Sequence, residues 1–253
     1  MSLIKTIAAA FSMFSIIPMP QSDFDDRNNK YMLAVFPVVG AVQGVLLWGM
    51  YALCTRLSIH HILRCALLFV TPVIYTGGIH LDGFMDTFDA LAARQDKEKS
   101  LKIMSDPHIG AFAVIALAVY CILGFSLWCS MDVFDPVYFI LISMLSRSLA
   151  GYAMLTFTPA KNSGLASFFS KAGSRSASGA IAVLITIFIG IALFMKGVRG
   201  MMILAAALTM LLIYYLTAKK RFGGITGDLS GWFLSVSELL MLAAYVLTEN
   251  LSG

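Results

Sequence analysis

The sequence predicts an all-α, polytopic membrane helix bundle that forms one domain over residues 1–253. Hydrophobic residues make up 59% of the chain and charged residues only 13%, whereas soluble domains usually carry about 25% charged residues. The apolar residues fall into runs of the length that a bilayer-spanning helix needs. A chain of 253 residues holds about seven such spans with short loops, which leaves little sequence for a soluble domain.

Hydropathy places the seven spans and one additional N-terminal helix. An apolar run follows Lys5 and ends at Pro18-Met19-Pro20 without a small-residue cleavage site. We therefore interpret it as an interfacial or re-entrant helix that the protein keeps, not as a signal peptide. The spans are expected at roughly 32–54, 62–80, 109–131, 136–158, 178–196, 200–218 and 231–248.

The basic residues predict the orientation of this bundle. Of the 18 lysines and arginines, thirteen fall in the N-terminal segment and in the loops after the second, fourth and sixth spans. Four fall on the opposite side, at Arg56, Arg64, Lys196 and Arg199, and Arg147 lies inside a span. Because loops rich in lysine and arginine stay in the cytoplasm, the N-terminus is expected there.

A cluster of aspartates follows the second span, in the segment GGIHLDGFMDTFDALAAR that begins at Gly77. The spacing of Asp82, Asp86 and Asp89 puts all three on one face of a helix. Their repulsion would be relieved by a hard divalent cation such as Mg²⁺, which prefers oxygen ligands. The alternative is a solvated helix start with Asp82 as its N-cap. The Gly77-Gly78 pair would let the span break or the backbone approach a ligand, or would serve helix packing.

Other ionisable residues within or beside the spans are functional candidates, since burying charge in a membrane is costly. Asp106 is either a helix cap or a functional carboxylate, and nothing separates the two roles for His108. Arg147 is either part of a structural ion pair or a phosphate ligand. Glu238 lies about 15 Å further along one helix than Asp228, so the two cannot share one ion. Glu238 is better suited as a partner of Arg147 or as a polar ligand group.

The glycine-rich segment near the last span adds a candidate anion site. Gly223-Gly224 and the helix start after Thr226 offer backbone N–H groups to an anion, whereas Lys219 and Lys220 are interpreted as topology signals. Carboxylates with a divalent metal and nearby cations are the parts of phosphoryl transfer. A cation- or proton-coupled transporter is the competing class, but its polar groups should follow a path through the midplane. Here they collect toward the cytoplasmic end.

The sequence also resembles the cobalamin synthases, which are adenosylcobinamide-GDP ribazoletransferases. The resemblance rests on FPVVGAVQG, TGGIHLDGFMDTFDAL, KIMSDPHIGAF, LSR and GGITGDLSGWFLSVSEL, which occur in the family's order and span about residues 3–248. It implies a magnesium-dependent membrane enzyme of cobalamin biosynthesis. Such an enzyme joins adenosylcobinamide-GDP to α-ribazole or its 5′-phosphate, gives adenosylcobalamin or its 5′-phosphate, and releases GMP. Two departures are Pro107-His108 and Gly164-Leu165-Ala166, and neither affects the acidic helix.

The motifs and the resemblance together define a candidate site. The expected metal ligands for Mg²⁺ are Asp82, Asp86 and Asp89. The expected catalytic residues are His80, Asp106, Arg147 and Asp228, and the expected substrate-binding residues are Gly77, Gly78, Lys102, His108, Thr226 and Glu238.

The expected location is the bacterial inner membrane, and the distribution of basic residues puts the site on its cytoplasmic side. The expected partners are the two substrates and the lipid bilayer. No nucleic acid is expected, and a homo-oligomer is left open. A membrane phosphotransferase of the CDP-alcohol type is the second alternative besides a transporter, although Arg94 does not reproduce the spacing of that class.

Overall fold

The computed structural model describes residues 3–20, 31–171 and 177–249, and within them every regular element is a helix apart from one isolated parallel bridge between Pro159 and Ile225. The all-α prediction is therefore confirmed. The helices are α1 Leu3–Phe14, α2 Met32–Arg56, α3 His61–Thr76, α4 Ile79–Ala92, α5 Lys97–Ile103, α6 Ala111–Cys129, α7 Pro136–Thr156, α8 Gly164–Lys171, α9 Ala177–Phe194, α10 Gly197–Thr217 and α11 Gly227–Leu247, with a π-helical turn over Ala218–Phe222 after α10.

Several of these helices can cross a membrane. Five described helices are long and apolar enough, namely α2, α6, α7, α11 and α10 together with its π-helical turn, and α3 with α4 makes a sixth if that bent pair counts as one span. The chain is thus a multi-pass membrane protein, but seven separate spans are not found among the described residues. The span expected at 178–196 corresponds to a shorter apolar helix, Gly179–Phe194.

The span expected at 62–80 ends early because two consecutive glycines break it. Gly77 and Gly78 have φ angles of 63° and 80°, in the left-handed region that favours glycine. The N–H of Gly77 donates to the carbonyl of Ile74 and that of Gly78 to the carbonyl of Val73, which satisfies the end of α3. The next helix, α4, leaves at 90° to α3. The Gly77-Gly78 pair therefore breaks the span, as one of the sequence interpretations held.

The predicted N-terminal helix is present as α1. Its 12 residues span about 18 Å, less than the hydrocarbon thickness of a bilayer. The ring of Phe14 lies 4.2 Å from that of Phe36 in α2. Just beyond α1, the N–H of Ile16 donates to the carbonyl of Tyr75 at the end of α3. These contacts hold α1 beside the break between α3 and α4.

Close helix packing in the centre of the bundle depends on small residues. A Cβ atom at Gly40 of α2 would lie 2.2 Å from the carbonyl oxygen of Ser143 in α7, and one at Gly44 would lie 2.4 Å from the Cα of Ile140. Glycine at these two positions lets the backbones of α2 and α7 touch, as small residues do in membrane helix pairs.

A buried polar network joins the same two helices to α11. Arg147 of α7 forms an ion pair with Glu238 of α11, and the Arg147 side chain is only 1% exposed. Its Nη2 donates to Oε1 of Gln43 in α2 over 2.6 Å, while the hydroxyl of Ser146 donates to Glu238 Oε1 over 2.8 Å. The structural ion pair considered for Arg147 is therefore present. Because Arg147 is fully buried and Glu238 largely so, the guanidinium depends on the carboxylate for its counter-charge.

We expect Glu238→Leu to destabilise the bundle by about 3–5 kcal/mol, since it leaves the Arg147 guanidinium buried without a counter-charge. The double variant Arg147→Leu with Glu238→Leu should recover much of that loss, because neither charge is then buried. Unfolding midpoints in detergent, compared with the wild type, measure both effects. A double variant no more stable than Glu238→Leu would show that the ion pair is not what the single change disrupts.

Candidate active site

The acidic helix α4 is held against the start of α11 by a direct backbone contact. A Cβ atom at Gly83 of α4 would lie 2.7 Å from the carbonyl oxygen and 2.8 Å from the Cα of Asp228. One helical turn further along α11, a Cβ at Gly231 would lie 3.0 Å from the carbonyl oxygen of His80. The hydroxyl of Ser235 also donates to that carbonyl over 3.2 Å. Glycines at this crossing therefore bring Asp228 beside the aspartates of α4.

The carboxylates of both helices form one electrostatic cluster. Asp86 interacts with the charges of Asp82, Asp228 and Asp89, and Asp228 interacts with Asp82 and with the ammonium group of Lys161. Asp82 is exposed, while Asp86 and Asp228 are half-buried. The predicted stripe on α4 is thus joined by Asp228 from α11, and Lys161 is a neighbouring cation that the sequence did not indicate.

Asp82 does not cap its helix. The N-cap position of α4 is Gly78, which makes no side-chain capping bond, and Asp82 lies within the first turn. The alternative of Asp82 as an N-cap is therefore wrong. A carboxylate in the first turn still interacts favourably with the positive end of the helix dipole.

Asp89 has a structural function that its position in the sequence does not predict. Its Oδ2 accepts the backbone N–H of Gly110 over 2.6 Å, and its Oδ1 accepts that of Ala113 over 2.9 Å. These amides belong to the N-terminus of α6, which has no intrahelical acceptors for them. A Cβ atom at Gly110 would lie 2.5 Å from both carboxylate oxygens. Asp89 therefore caps α6 from a neighbouring helix, and α6 fixes the orientation of its carboxylate.

The predicted three-aspartate metal site is not preformed. Within residues 3–20, 31–171 and 177–249, no three histidine, cysteine, aspartate or glutamate side chains are arranged to hold a metal ion. The chemistry of the donors nevertheless suits Mg²⁺, because Asp82, Asp86 and Asp228 supply hard oxygen ligands close together. Mg²⁺ commonly keeps several waters and uses one or two carboxylates together with substrate phosphates, so it needs no closed protein cage.

The loop before α6 holds Asp106 and His108, which contact each other. The carboxylate of Asp106 accepts the backbone N–H of His108 over 3.0 Å and lies 2.7 Å from its Nδ1. The hydrogen bonds from the backbone N–H and the imidazole ring of His108 lower the pKa of Asp106 below its usual value. The N-cap of α6 is Gly110, so the interpretation of Asp106 as the cap of this span is wrong. Lys102 of α5 is exposed and also interacts with Asp106.

His80 and Thr226 occupy the two sides of the crossing between α4 and α11. The Nε2 atom of His80 is buried and has no hydrogen-bond partner in the described part of the chain. Thr226 is the N-cap of α11, and its hydroxyl accepts the backbone N–H of Leu229 over 3.1 Å. Thr226 therefore orients the start of the helix that carries Asp228. This structural role of Thr226 requires no contact with substrate.

The other predicted residues are divided between the break and the buried network. Gly77 is exposed and Gly78 is half-buried at the turn between α3 and α4. Arg147 and Glu238 are bound to each other in the centre of the bundle. The structure thus gathers His80, Asp82, Asp86 and Asp228 at one crossing and assigns Arg147 and Glu238 to a separate polar network.

A cavity of about 170 Å³ opens beside this crossing. Sequence reasoning did not find it, because its walls come from six helices that are far apart in the chain. Its lining consists of Phe14, Leu33, Phe36, Ile79, His80, Asp82, Ala150, Met154, Leu165, Gly227, Asp228, Ser230, Gly231 and Leu234.

A second cavity, of about 250 Å³, lies next to the π-helical turn. Lys219 and Gly223 line it together with the aromatic rings of Phe157 and Tyr215. The ammonium group of Lys219 lies 5.7 Å from the centre of the Tyr215 ring. The basic, glycine-rich segment therefore borders a pocket of its own, separate from the residues that line the first cavity.

Comparison with known proteins identifies the family of this chain. Residues 6–246 match the family model of cobalamin-5-phosphate synthase. The chain is 34% identical to adenosylcobinamide-GDP ribazoletransferase of Lachnoclostridium phytofermentans, over 99% of this chain and 96% of the relative. It is 35% identical to the protein of the same name from Clostridium perfringens strain SM101, over 92% and 94%.

A relative from another bacterial genus gives the same result. The chain is 34% identical to adenosylcobinamide-GDP ribazoletransferase of Geobacillus thermodenitrificans, over 92% of this chain and 91% of the relative. No solved structure shows a significant match. Since both the family model and these relatives cover nearly the whole chain, the protein belongs to the cobalamin-5-phosphate synthase family and is a transferase of cobalamin biosynthesis.

Proposed function

We propose that this protein joins adenosylcobinamide-GDP to α-ribazole or α-ribazole 5′-phosphate and releases GMP, at the crossing of α4 and α11. The products are adenosylcobalamin or its 5′-phosphate. The observation that carries the proposal is the cluster of Asp82, Asp86 and Asp228, which the contact between Gly83 and Asp228 holds together. The names of the similar proteins supply the substrates. The location is the bacterial inner membrane, with the cluster facing the cytoplasm.

Asp82 and Asp86 are the residues that would hold Mg²⁺ in this proposal, together with the diphosphate of the donor substrate, while Asp228 stays free to act as a base. Repulsion among the carboxylates favours a cation at this point. When bound, Mg²⁺ would neutralise negative charge on the diphosphate of the donor substrate. Asp89 is left out of this set because both of its oxygens accept backbone N–H groups of α6.

The reaction asks the protein to position an acceptor hydroxyl and a diphosphate. The ribazole 3′-hydroxyl attacks the phosphorus attached to cobinamide, the bond from that phosphorus to the bridging oxygen breaks, and GMP leaves. Asp228 is well placed to take the hydroxyl proton, since it is half-buried and borders the cavity. Asp106 is a weaker base, because hydrogen bonds from His108 lower its pKa. Lys161, which interacts with Asp228, is a cation near the developing charge.

Arg147 contributes indirectly in this proposal. Its side chain is 1% exposed and bonded to Glu238 and Gln43, so it is not free to bind phosphate. We assign it to the packing of α7 against α11, two helices that also line the cavity beside the site. No observation favours the transporter or the CDP-alcohol phosphotransferase over ribazole transfer.

An assay of GMP release tests the proposal, with purified protein in lipid nanodiscs and with adenosylcobinamide-GDP and α-ribazole as substrates. We expect release of GMP that depends on both substrates and stops when a chelator removes Mg²⁺. Formation of the ribazole-containing corrinoid in equal amount would identify the transfer. GMP release without the acceptor would instead indicate a hydrolase.

We expect Asp82→Asn and Asp86→Asn each to slow GMP release about 100-fold, since losing several kcal/mol of charge stabilisation has that effect on rate. The Mg²⁺ concentration for half-maximal activity should rise in both variants. Asp132→Asn is the matched control, because Asp132 is an exposed aspartate outside the cluster. An Asp82→Asn protein with the Mg²⁺ dependence of the wild type would contradict the assignment of Asp82 as a ligand.

Asp89→Asn should behave differently from the substitutions at Asp82 and Asp86. An asparagine has one acceptor oxygen, so one of the two bonds to the α6 amides is lost. Hydrogen bonds to charged groups contribute about 1.5–3 kcal/mol each. We expect a lower unfolding midpoint and reduced activity, with the half-maximal Mg²⁺ concentration unchanged. A raised Mg²⁺ requirement with unchanged stability would instead make Asp89 a metal ligand.

Gly83→Ala tests whether the contact between α4 and α11 positions the site. The new methyl group would have to displace the backbone of Asp228, and a shift of about 1 Å can cost on the order of 100-fold in rate. Gly49→Ala is the control, since a Cβ at Gly49 meets no atom within 4 Å. We expect Gly83→Ala to lose GMP release while Gly49→Ala keeps it. Equal activity in the two variants would show that the close contact is not required.

A further inference from the structure

The first cavity combines buried apolar walls, which include Phe14, Phe36 and Met154, with a polar side that we call its mouth, where Asp82 is exposed and Asp228 is half-buried. Phe14 of α1, Phe36 of α2 and Met154 of α7 are among its apolar lining residues, whereas Asp82 and Asp228 supply its charged groups. The Phe14 and Phe36 rings pack together with an interplanar angle of 31°. No lysine or arginine is among the described lining residues. A neutral, apolar group therefore suits the interior better than an anion does.

The dimensions of the cavity restrict its occupant further. Its volume of about 170 Å³ lies below the roughly 300 Å³ at which sites for whole small molecules begin. It can therefore enclose one part of a ligand, of the size of a flat aromatic ring system. A corrin macrocycle is too large for it. A whole guanosine diphosphate is also too large for it, and its guanine carries polar groups that these apolar walls would leave unpaired.

We infer that this cavity binds the aromatic base of the ribazole acceptor, with the ribose directed toward Asp82 and Asp228. The inference rests on the proposed function and adds a subsite to it. The base of α-ribazole is a dimethylbenzimidazole, which is flat, neutral and apolar. Burial of such a ring is favourable in proportion to the apolar area removed from water. Aromatic side chains such as Phe14 and Phe36 add stacked or edge-to-face contacts with the bound ring.

The arrangement places the reacting hydroxyl where the proposed chemistry needs it. With the base inside the cavity, the sugar lies at the mouth, which Asp82 and Asp228 border. The ring of His80 lines the same cavity, and its buried Nε2 has no partner among the residues described. The polar atoms of the nucleoside can supply that partner. Ser230 is already bonded to Tyr214 over 2.8 Å, so it has less capacity for a ligand.

The inference predicts that the size of the cavity sets the size of the base that is accepted. Met154→Ala removes three heavy atoms from the wall and should admit a ring-extended acceptor, naphthimidazole riboside. One methylene in an apolar pocket changes selectivity about 10-fold or more. We expect kcat/KM for naphthimidazole riboside, relative to α-ribazole, to rise at least about 10-fold. The KM for adenosylcobinamide-GDP should stay at the wild-type value.

Met241→Ala is the matched control for this experiment. Met241 is buried in α11 with 0% of its surface exposed and is not part of the cavity lining. The substitution is therefore the same in kind and costs stability in the same way, but it should leave acceptor selectivity unchanged. Ala150→Leu is a second variant, which narrows the cavity from α7 and should raise the KM for α-ribazole. An unfolding midpoint for each variant shows whether it is folded.

The outcomes separate the subsite from the proposed function. If the wild type releases no GMP with either acceptor, ribazole transfer itself fails. If it is active but Met154→Ala and Met241→Ala have the same acceptor selectivity, the cavity does not hold the base. A rise in the KM for adenosylcobinamide-GDP, with the acceptor KM unchanged in Ala150→Leu, would also overturn the inference, because the cavity would then belong to the donor.

Discussion

The backbone contact between Gly83 and Asp228 is the constraint on which the candidate site depends. Each aspartate alone is unremarkable at a helix end, and α4 carries its carboxylates on one face whatever lies beside it. Only the absence of a side chain at Gly83 lets α11 approach closely enough to bring Asp228 into the same cluster. The repulsion among the carboxylates is then built into the fold, because the helices that carry them cannot separate without losing their packing.

The protein has two separate clusters of charged side chains, which differ in how far their charges are balanced. The pair of Arg147 and Glu238 neutralises itself inside the bundle, where its hydrogen bonds to Gln43 and Ser146 satisfy further polar atoms. Within the described residues, the aspartates at the crossing of α4 and α11 form no ion pair, although the charge of Lys161 interacts with Asp228. Charge that is balanced within the protein stabilises it, whereas charge left unbalanced is available to bind a ligand.

Much of the fold could be predicted from the sequence, because long apolar runs report directly on membrane helices. Hydropathy gave a wrong end for the span predicted at 62–80, because it does not show that the chain turns by 90° at Gly77 and Gly78. The spacing of Asp82, Asp86 and Asp89 predicted a shared helix face correctly. It could not show that Asp89 binds amides of α6, since Gly110 is 21 residues away. The cavity was equally hidden, as six helices contribute to it and each looks like ordinary core in isolation.

The early end of α3 has a consequence for the thickness of the protein at this point. A helix of 16 residues is about 24 Å long, which is some 6 Å less than the hydrocarbon core of a typical bilayer. The polar face of α4 therefore begins at a depth that a full-length span would still occupy. Hydrophobic mismatch of this kind thins the surrounding lipid. An amphipathic molecule dissolved in the membrane surface could then meet the carboxylates sideways, without first leaving the lipid–water boundary.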